Sequence, residues 1–92
     1  MVSHKVLHLI LQFRQLNKPT AQINKALQQL DYFIKLYKQQ QLYEHFIHLK
    51  NKDIERKGYQ VVINKENMNK LSFLKRNGGV TYSELVECAL IS

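Results

Sequence analysis

Hydrophobic and polar positions alternate best in KGYQVVINKE, residues 57–66, where Tyr59, Val61 and Ile63 interleave with Gln60, Val62 and Asn64. A side-chain period of two is that of a strand with one buried face. This is the one segment that reads as a strand, so its backbone N–H and C=O groups need a partner from elsewhere.

The rest of the chain reads as helical. Over residues 2–16, Val6, Leu9, Ile10, Phe13 and Leu16 fall on one helical face, widened by Leu7 and Leu11. Asn17, Lys18 and Pro19 break that helix. A second helix begins at Thr20, with a heptad-like seam of Ile23, Leu27, Leu30, Ile34 and Tyr37. The phase slips at Gln39-Gln40-Gln41, and Leu42, Phe46 and Leu49 continue on a shifted stripe. The spacing fits one long helix with a stutter or two helices with a bend. Polarity rises across residues 50–57 and marks a boundary between an N-terminal helical segment, 1–53, and a second unit, 57–92. In the second unit Met68, Leu71 and Leu74 (or Phe73) mark a helical face, which Gly78-Gly79 stops. Thr81-Tyr82-Ser83-Glu84 has the spacing of a capping box, and Leu85, Val86, Ala89 and Leu90 form the buried face of the last helix. No repeat is visible in the residues.

Composition narrows the function. Hydrophobic residues make up 45% of the 92, enough for a folded domain. Lys and Arg number 14 against 7 acidic residues, a formal charge of +7 that favours an anionic partner, nucleic acid first. Cys88 is the single cysteine, which excludes a disulfide framework and points to a reducing, cytoplasmic setting. The apolar N-terminus carries His4, Lys5 and His8 with no small-residue cleavage site after it, so no signal peptide is expected; it is also too short to span a bilayer.

One strand and two short helices bury too little surface to fold alone. Pairing two copies across a two-fold axis solves this, with the strands antiparallel and the helices interlocked beneath them. Tyr59, Val61 and Ile63 would then face a shared core with Met68, Leu71, Leu74, Leu85, Val86, Ala89 and Leu90, while Gln60 and Val62 face outward.

The stretch YQVVINKENMNKLSFLKRNGGVTYSELVECAL resembles a ribbon-helix-helix DNA-binding domain: a short strand with inward aliphatics, a helix opening near Lys65-Glu66, a glycine turn, then Thr81 and Ser83-Glu84-Leu85. The resemblance covers residues 57–91. It implies an intertwined ribbon-helix-helix homodimer; with the N-terminal seam read as a helical hairpin before it, the expected fold is mostly α with one short strand. It implies double-stranded DNA as partner, with paired strands in the major groove. Carried over by position, Gln60 and Val62 touch base edges, with Gly58 and Asn64 at the ends; the Gln60 amide suits adenine and Val62 a thymine methyl. The start of the last helix, at Thr81, Tyr82 and Ser83, would hold a phosphate. Lys57, Lys65, Lys75, Arg76 and Arg56 would add phosphate contacts. The apolar Val62 departs from the polar or basic outward face usual in the family.

His4 and His8, and His45 and His48, are each one helical turn apart, but no cysteine or acidic cluster joins them, so no metal or other cofactor is expected. There is no phosphate-binding glycine loop or activated nucleophile pattern, so no enzyme is expected. The expected function is a homodimeric, sequence-specific DNA-binding protein: a small transcriptional repressor or a plasmid or phage accessory factor. Two alternatives stand beside it. One is an antitoxin that autoregulates through residues 57–92 and clamps a protein partner with residues 1–50. The other is an interaction module using the ribbon only to dimerise.

Overall fold

A computed structural model describes residues 6–14, 22–47 and 55–91. Most of the described chain is helical, built around a two-stranded antiparallel sheet. Strand β1 spans Val6–Arg14. Helix α1, Ile23–Ala26, runs through a 3-10 turn, Leu27–Gln29, into α2, Leu30–Lys38, and α3 spans Leu42–Phe46. Strand β2 is Arg56–Asn64, followed by α4, Lys65–Gly78, and α5, Tyr82–Ile91.

The strand expected at 57–66 is present, but its partner belongs to the same chain. β1 pairs antiparallel with β2 from Val6↔Asn64 to Arg14↔Arg56, centred on Ile10↔Gln60. Two expectations are thereby corrected. Residues 6–14 form a strand and not a helix, and the ribbon closes within one polypeptide and not against a second copy. The physical reason lies in the apolar run of VLHLILQFR, which satisfies both periods. Leu9, Leu11 and Phe13 turn inward at spacing two, leaving Ile10 exposed, where a helix would have buried it. The ladder that β2 requires decides between the periods.

The two strands are equivalent in burial as well as in pairing. The strand starts lie fifty positions apart, Val6 and Arg56, and exposure matches position by position from His8/Gly58 to Arg14/Asn64. Leu11 and Phe13 are buried like Val61 and Ile63; Leu9 and Tyr59 are half-buried; His8, Ile10 and Gln12 are exposed like Gly58, Gln60 and Val62. None of these equivalent positions, fifty apart, carries the same residue, so the likeness of the strands is structural and invisible in the sequence.

The core residues expected from the C-terminal unit are in place: Val61, Ile63, Leu71, Leu74, Leu85, Val86, Ala89 and Leu90 are buried, Tyr59 and Met68 half-buried. What completes their core is the first half of the chain, with Leu11, Phe13, Ile23, Leu27, Leu30 and Phe33, where a second copy was expected. Packing crosses between the halves: α1 lies against β2, α5 against β1, and α2 against α4. Leu74, not Phe73, is the buried choice on α4.

The expected seam in the first half is displaced by one residue after Leu30. Phe33 and Leu36 are buried, whereas Ile34 and Tyr37 are half-buried. The 3-10 turn at Leu27–Gln29 explains the shift. Each 3-10 residue rotates the chain roughly 20° more than an α residue, so the core-facing position arrives earlier. The slip at Gln39-Gln40-Gln41 is a bend between two helices, with Gln40 at φ 60°. The break at Asn17-Lys18-Pro19, the helix start at Thr20, and Leu16 and Leu49 lie outside the described residues.

Both glycine and capping expectations for the second half hold. Gly79 ends α4 at φ 71°. Thr81 Oγ1 accepts from the Glu84 N–H at 3.1 Å, and the Thr81 N–H donates back to the Glu84 carboxylate at 3.1 Å. Among the described residues, no helix is long and apolar enough to cross a membrane.

Candidate nucleic-acid interface

A two-stranded sheet has two unpaired edges and one face with no layer over it. In this chain the edges are held by polar side chains from the opposite half. On β1, the Gln12 N–H donates to Ser83 Oγ at 3.1 Å and the Arg14 N–H to Glu87 Oε1 at 3.1 Å. On β2, the Val62 carbonyl accepts from Asn24 Nδ2 at 2.6 Å, and the Asn64 N–H donates to Asn24 Oδ1 at 3.1 Å. Positions 12 and 62, and 14 and 64, are equivalent in the two strands. Edges satisfied this way hold a short ribbon in place and resist edge-to-edge association.

Asn24 extends this network into α4. Its Oδ1 also accepts from Asn67 Nδ2 at 2.9 Å, and the Asn67 N–H donates to Asn64 Oδ1 at 2.8 Å. Asn64 is thus the N-cap of α4. The helix begins directly at the strand end because this cap satisfies a first-turn N–H that would otherwise lack a partner.

At the far end of the ribbon Arg14 and Arg56 converge on Glu87, whose side chain is 2% exposed. Arg56 Nε and Nη2 reach its two oxygens at 2.9 and 3.1 Å, and Arg14 Nε adds a bond at 3.1 Å. Burial pushes the Glu87 carboxyl up, but the hydrogen bonds and charge of Arg56, with the contacts from Arg14, outweigh this and hold it below its ordinary value. Glu87 sits within the continuous buried run Leu85 to Leu90 of α5, where an unpaired carboxylate would be costly.

The outward face that remains carries His8, Ile10 and Gln12 from β1 and Gly58, Gln60 and Val62 from β2, all exposed. Ile10 is 78% exposed at the ribbon centre, opposite Gln60. The backbone groups of Gln12, Arg14, Val62 and Asn64 point out to the edges, so Ile10 and Gln60, in the same phase, form a non-hydrogen-bonded pair, the type with the closer side chains. Gln60 Nε2 also lies 3.4 Å from His8 Nδ1.

The residues expected to contact bases are only partly together. Gly58, Gln60 and Val62 share the open face. Asn64 does not: it is half-buried and committed to its cap and to Asn24. Among the expected phosphate contacts, Lys57, Lys65 and Arg76 are exposed, and Lys75 Nζ lies over the Tyr82 ring at 4.7 Å. Arg56 is engaged with Glu87. At the start of α5, Ser83 Oγ holds the β1 edge and the Tyr82 hydroxyl is 3.2 Å from Ser72 Oγ. The Glu84 carboxylate already occupies the Thr81 N–H, so negative charge sits where a phosphate would bind. Sequence reasoning missed His8, Ile10, Gln12, Arg14, Asn24 and Glu87. The inward alternation of Leu9, Leu11 and Phe13 was the available signal for the first three.

His4 and His48 lie outside the described residues, and no group of three or more possible metal ligands occurs among the described ones. His45 packs against Tyr32, Phe33 and Phe46. Comparison of the chain with family models, curated proteins and solved structures finds no match.

Proposed function

We propose that this protein is a DNA-binding regulator of ribbon-helix-helix type in which one polypeptide supplies both strands of the ribbon. The observation that carries the reading is the ribbon itself. Its inner face is rooted in the core while its outer face is bare, with amide, imidazole and aliphatic groups at the spacing of a strand. A two-stranded ribbon is one of the elements that fits the major groove. In this reading Gln60 and Gln12 offer amides to base edges, and Ile10 and Val62 touch thymine methyl groups. Lys57, Lys65 and Arg76 follow the phosphates and fix the register. The formal charge of +7 supplies the salt-sensitive attraction to DNA.

The alternative in which residues 1–50 clamp a separate protein is less well supported. Ile23, Leu27, Leu30 and Phe33 are buried in the chain's own core and are not available to a partner.

The test is anisotropy titration of labelled duplex, chosen by selection from random sequence and compared with a scrambled duplex. Gln60→Ala is expected to weaken binding to the selected duplex far more than to the scrambled one. Equal losses on both would remove base reading by the ribbon. Affinity for either duplex should fall steeply with salt, and salt-insensitive binding would remove the phosphate contacts.

A further inference from the structure

A homodimeric ribbon presents the same residues twice and so favours an inverted repeat. This ribbon keeps the two-fold backbone but not the two-fold side chains. At the equivalent outward positions His8 stands where the second strand has Gly58, Ile10 where it has Gln60, and Gln12 where it has Val62. The central pair, which would be two identical residues in a homodimer, is here an aliphatic side chain beside an amide.

We infer that the ribbon reads an asymmetric, non-palindromic duplex, one chain per site, with Ile10 and Gln60 selecting A·T at its centre. This rests on the DNA-binding reading above. The chemistry at each position sets the preference. The Gln60 amide can donate to and accept from adenine N7 and N6 together, which no other base edge allows in the same geometry. Ile10 is the most exposed large hydrophobic side chain of the described residues and has no polar atom, so its favourable partner in the groove is the thymine C5-methyl. Away from the centre, Gln12 offers an amide on one side and Val62 a methyl-contacting surface on the other, so the two half-sites differ. Gly58 faces Gln12 across the ribbon and leaves that amide room to turn toward a base.

Asymmetry also fixes orientation. A binder that distinguishes the two ends of its site has its α5 side and its α1 side at defined ends of the DNA, which a symmetric dimer cannot have. The surfaces at those ends differ: α5 brings Ser83 and Glu84 beside the ribbon, whereas α1 brings Asn24.

The experiment is selection of bound duplexes from a random library with the full chain, followed by titration and mass measurement of the complex. The expected result is a consensus with no internal dyad, an A·T pair at the centre, and one chain per duplex. Gln60→Ala should lose about tenfold or more in affinity for that duplex. The double variant I10Q/Q12V gives both strands the same residues at the central and one flanking position, and should move the consensus toward an inverted repeat. Its fold is checked by its melting curve, and the unmodified chain's consensus decides the matter if the variant does not fold. An inverted-repeat consensus from the unmodified chain would overturn asymmetric reading while leaving DNA binding intact. Binding without sequence preference, or no binding at all, would overturn the DNA-reading function and this inference with it.

Discussion

Arg14 and Arg56 face each other as cross-strand partners at one end of the ribbon, and both hold the single carboxylate of Glu87. Like charges directly opposite on two strands repel. Glu87 turns that repulsion into a clasp joining β1, β2 and α5, the three elements whose contact closes the chain on itself. Each arginine side chain is 25% exposed and keeps some water, so the cost of burying charge falls mainly on Glu87. Glu87→Gln keeps the shape and removes the charge. It should destabilise the fold by about 2 kcal/mol or more, measured as a shift of the urea midpoint. An unchanged midpoint would show that the clasp contributes nothing to stability.

The same residue sets an acid limit. Its carboxyl is held below the ordinary value of 4.5 in the folded chain, so as pH falls the unfolded chain takes up the proton first. Stability from the clasp is therefore complete above the unfolded value and is lost as pH drops through the folded value. Denaturation measured from neutral pH downward should show this loss in the native protein and a shallower one in Glu87→Gln. Parallel curves for the two proteins would assign acid sensitivity to other carboxylates.

Asn24 has no counterpart in any sequence motif, yet it bonds the edge of β2 and the start of α4 at once. Asn24→Ala leaves the half-buried Asn64 N–H and the buried Asn67 amide short of partners. The expected cost is about 2 kcal/mol, against a few tenths for Gln28→Ala on the exposed side of the adjoining turn. Similar melting temperatures for the two variants would argue that water replaces Asn24 without loss.

Two helix ends use the left-handed region, Gln40 at φ 60° and Gly79 at φ 71°. Only the second has glycine. Gln40→Gly should raise stability by roughly 0.5–1 kcal/mol, and Gly79→Ala should lower it by about 1 kcal/mol although the added methyl meets nothing within 4 Å. Melting temperatures moving in opposite directions for the two variants would confirm that backbone conformation, and not packing, governs both sites.

Residues 55–92 alone should not fold. The fragment loses β1, Leu11, Phe13 and Phe33 from its core and Arg14 from the clasp. Circular dichroism at micromolar concentration should show no cooperative transition. A concentration-dependent transition would instead show that copies of the fragment pair strand to strand.

The residues by themselves determined the features that depend on neighbours in the chain. The alternation of Tyr59, Val61 and Ile63 marked β2, because period-two burial is written within a few residues. The helix opening at Lys65, the left-handed stop at Gly79 and the Thr81–Glu84 box were legible because each is satisfied within one turn. The inward residues of α4 and α5 were legible for the same reason.

Only the tertiary structure decided β1. Its apolar run fits a helix face as well as a strand face, and the choice depends on backbone groups of β2 about fifty residues away. Asn24 and Glu87 were silent because the role of each is defined by partners that the fold brings to it. The equivalence of β1 and β2 was hidden because backbone pairing constrains which positions are inward and outward, and leaves the identity of the residues there free.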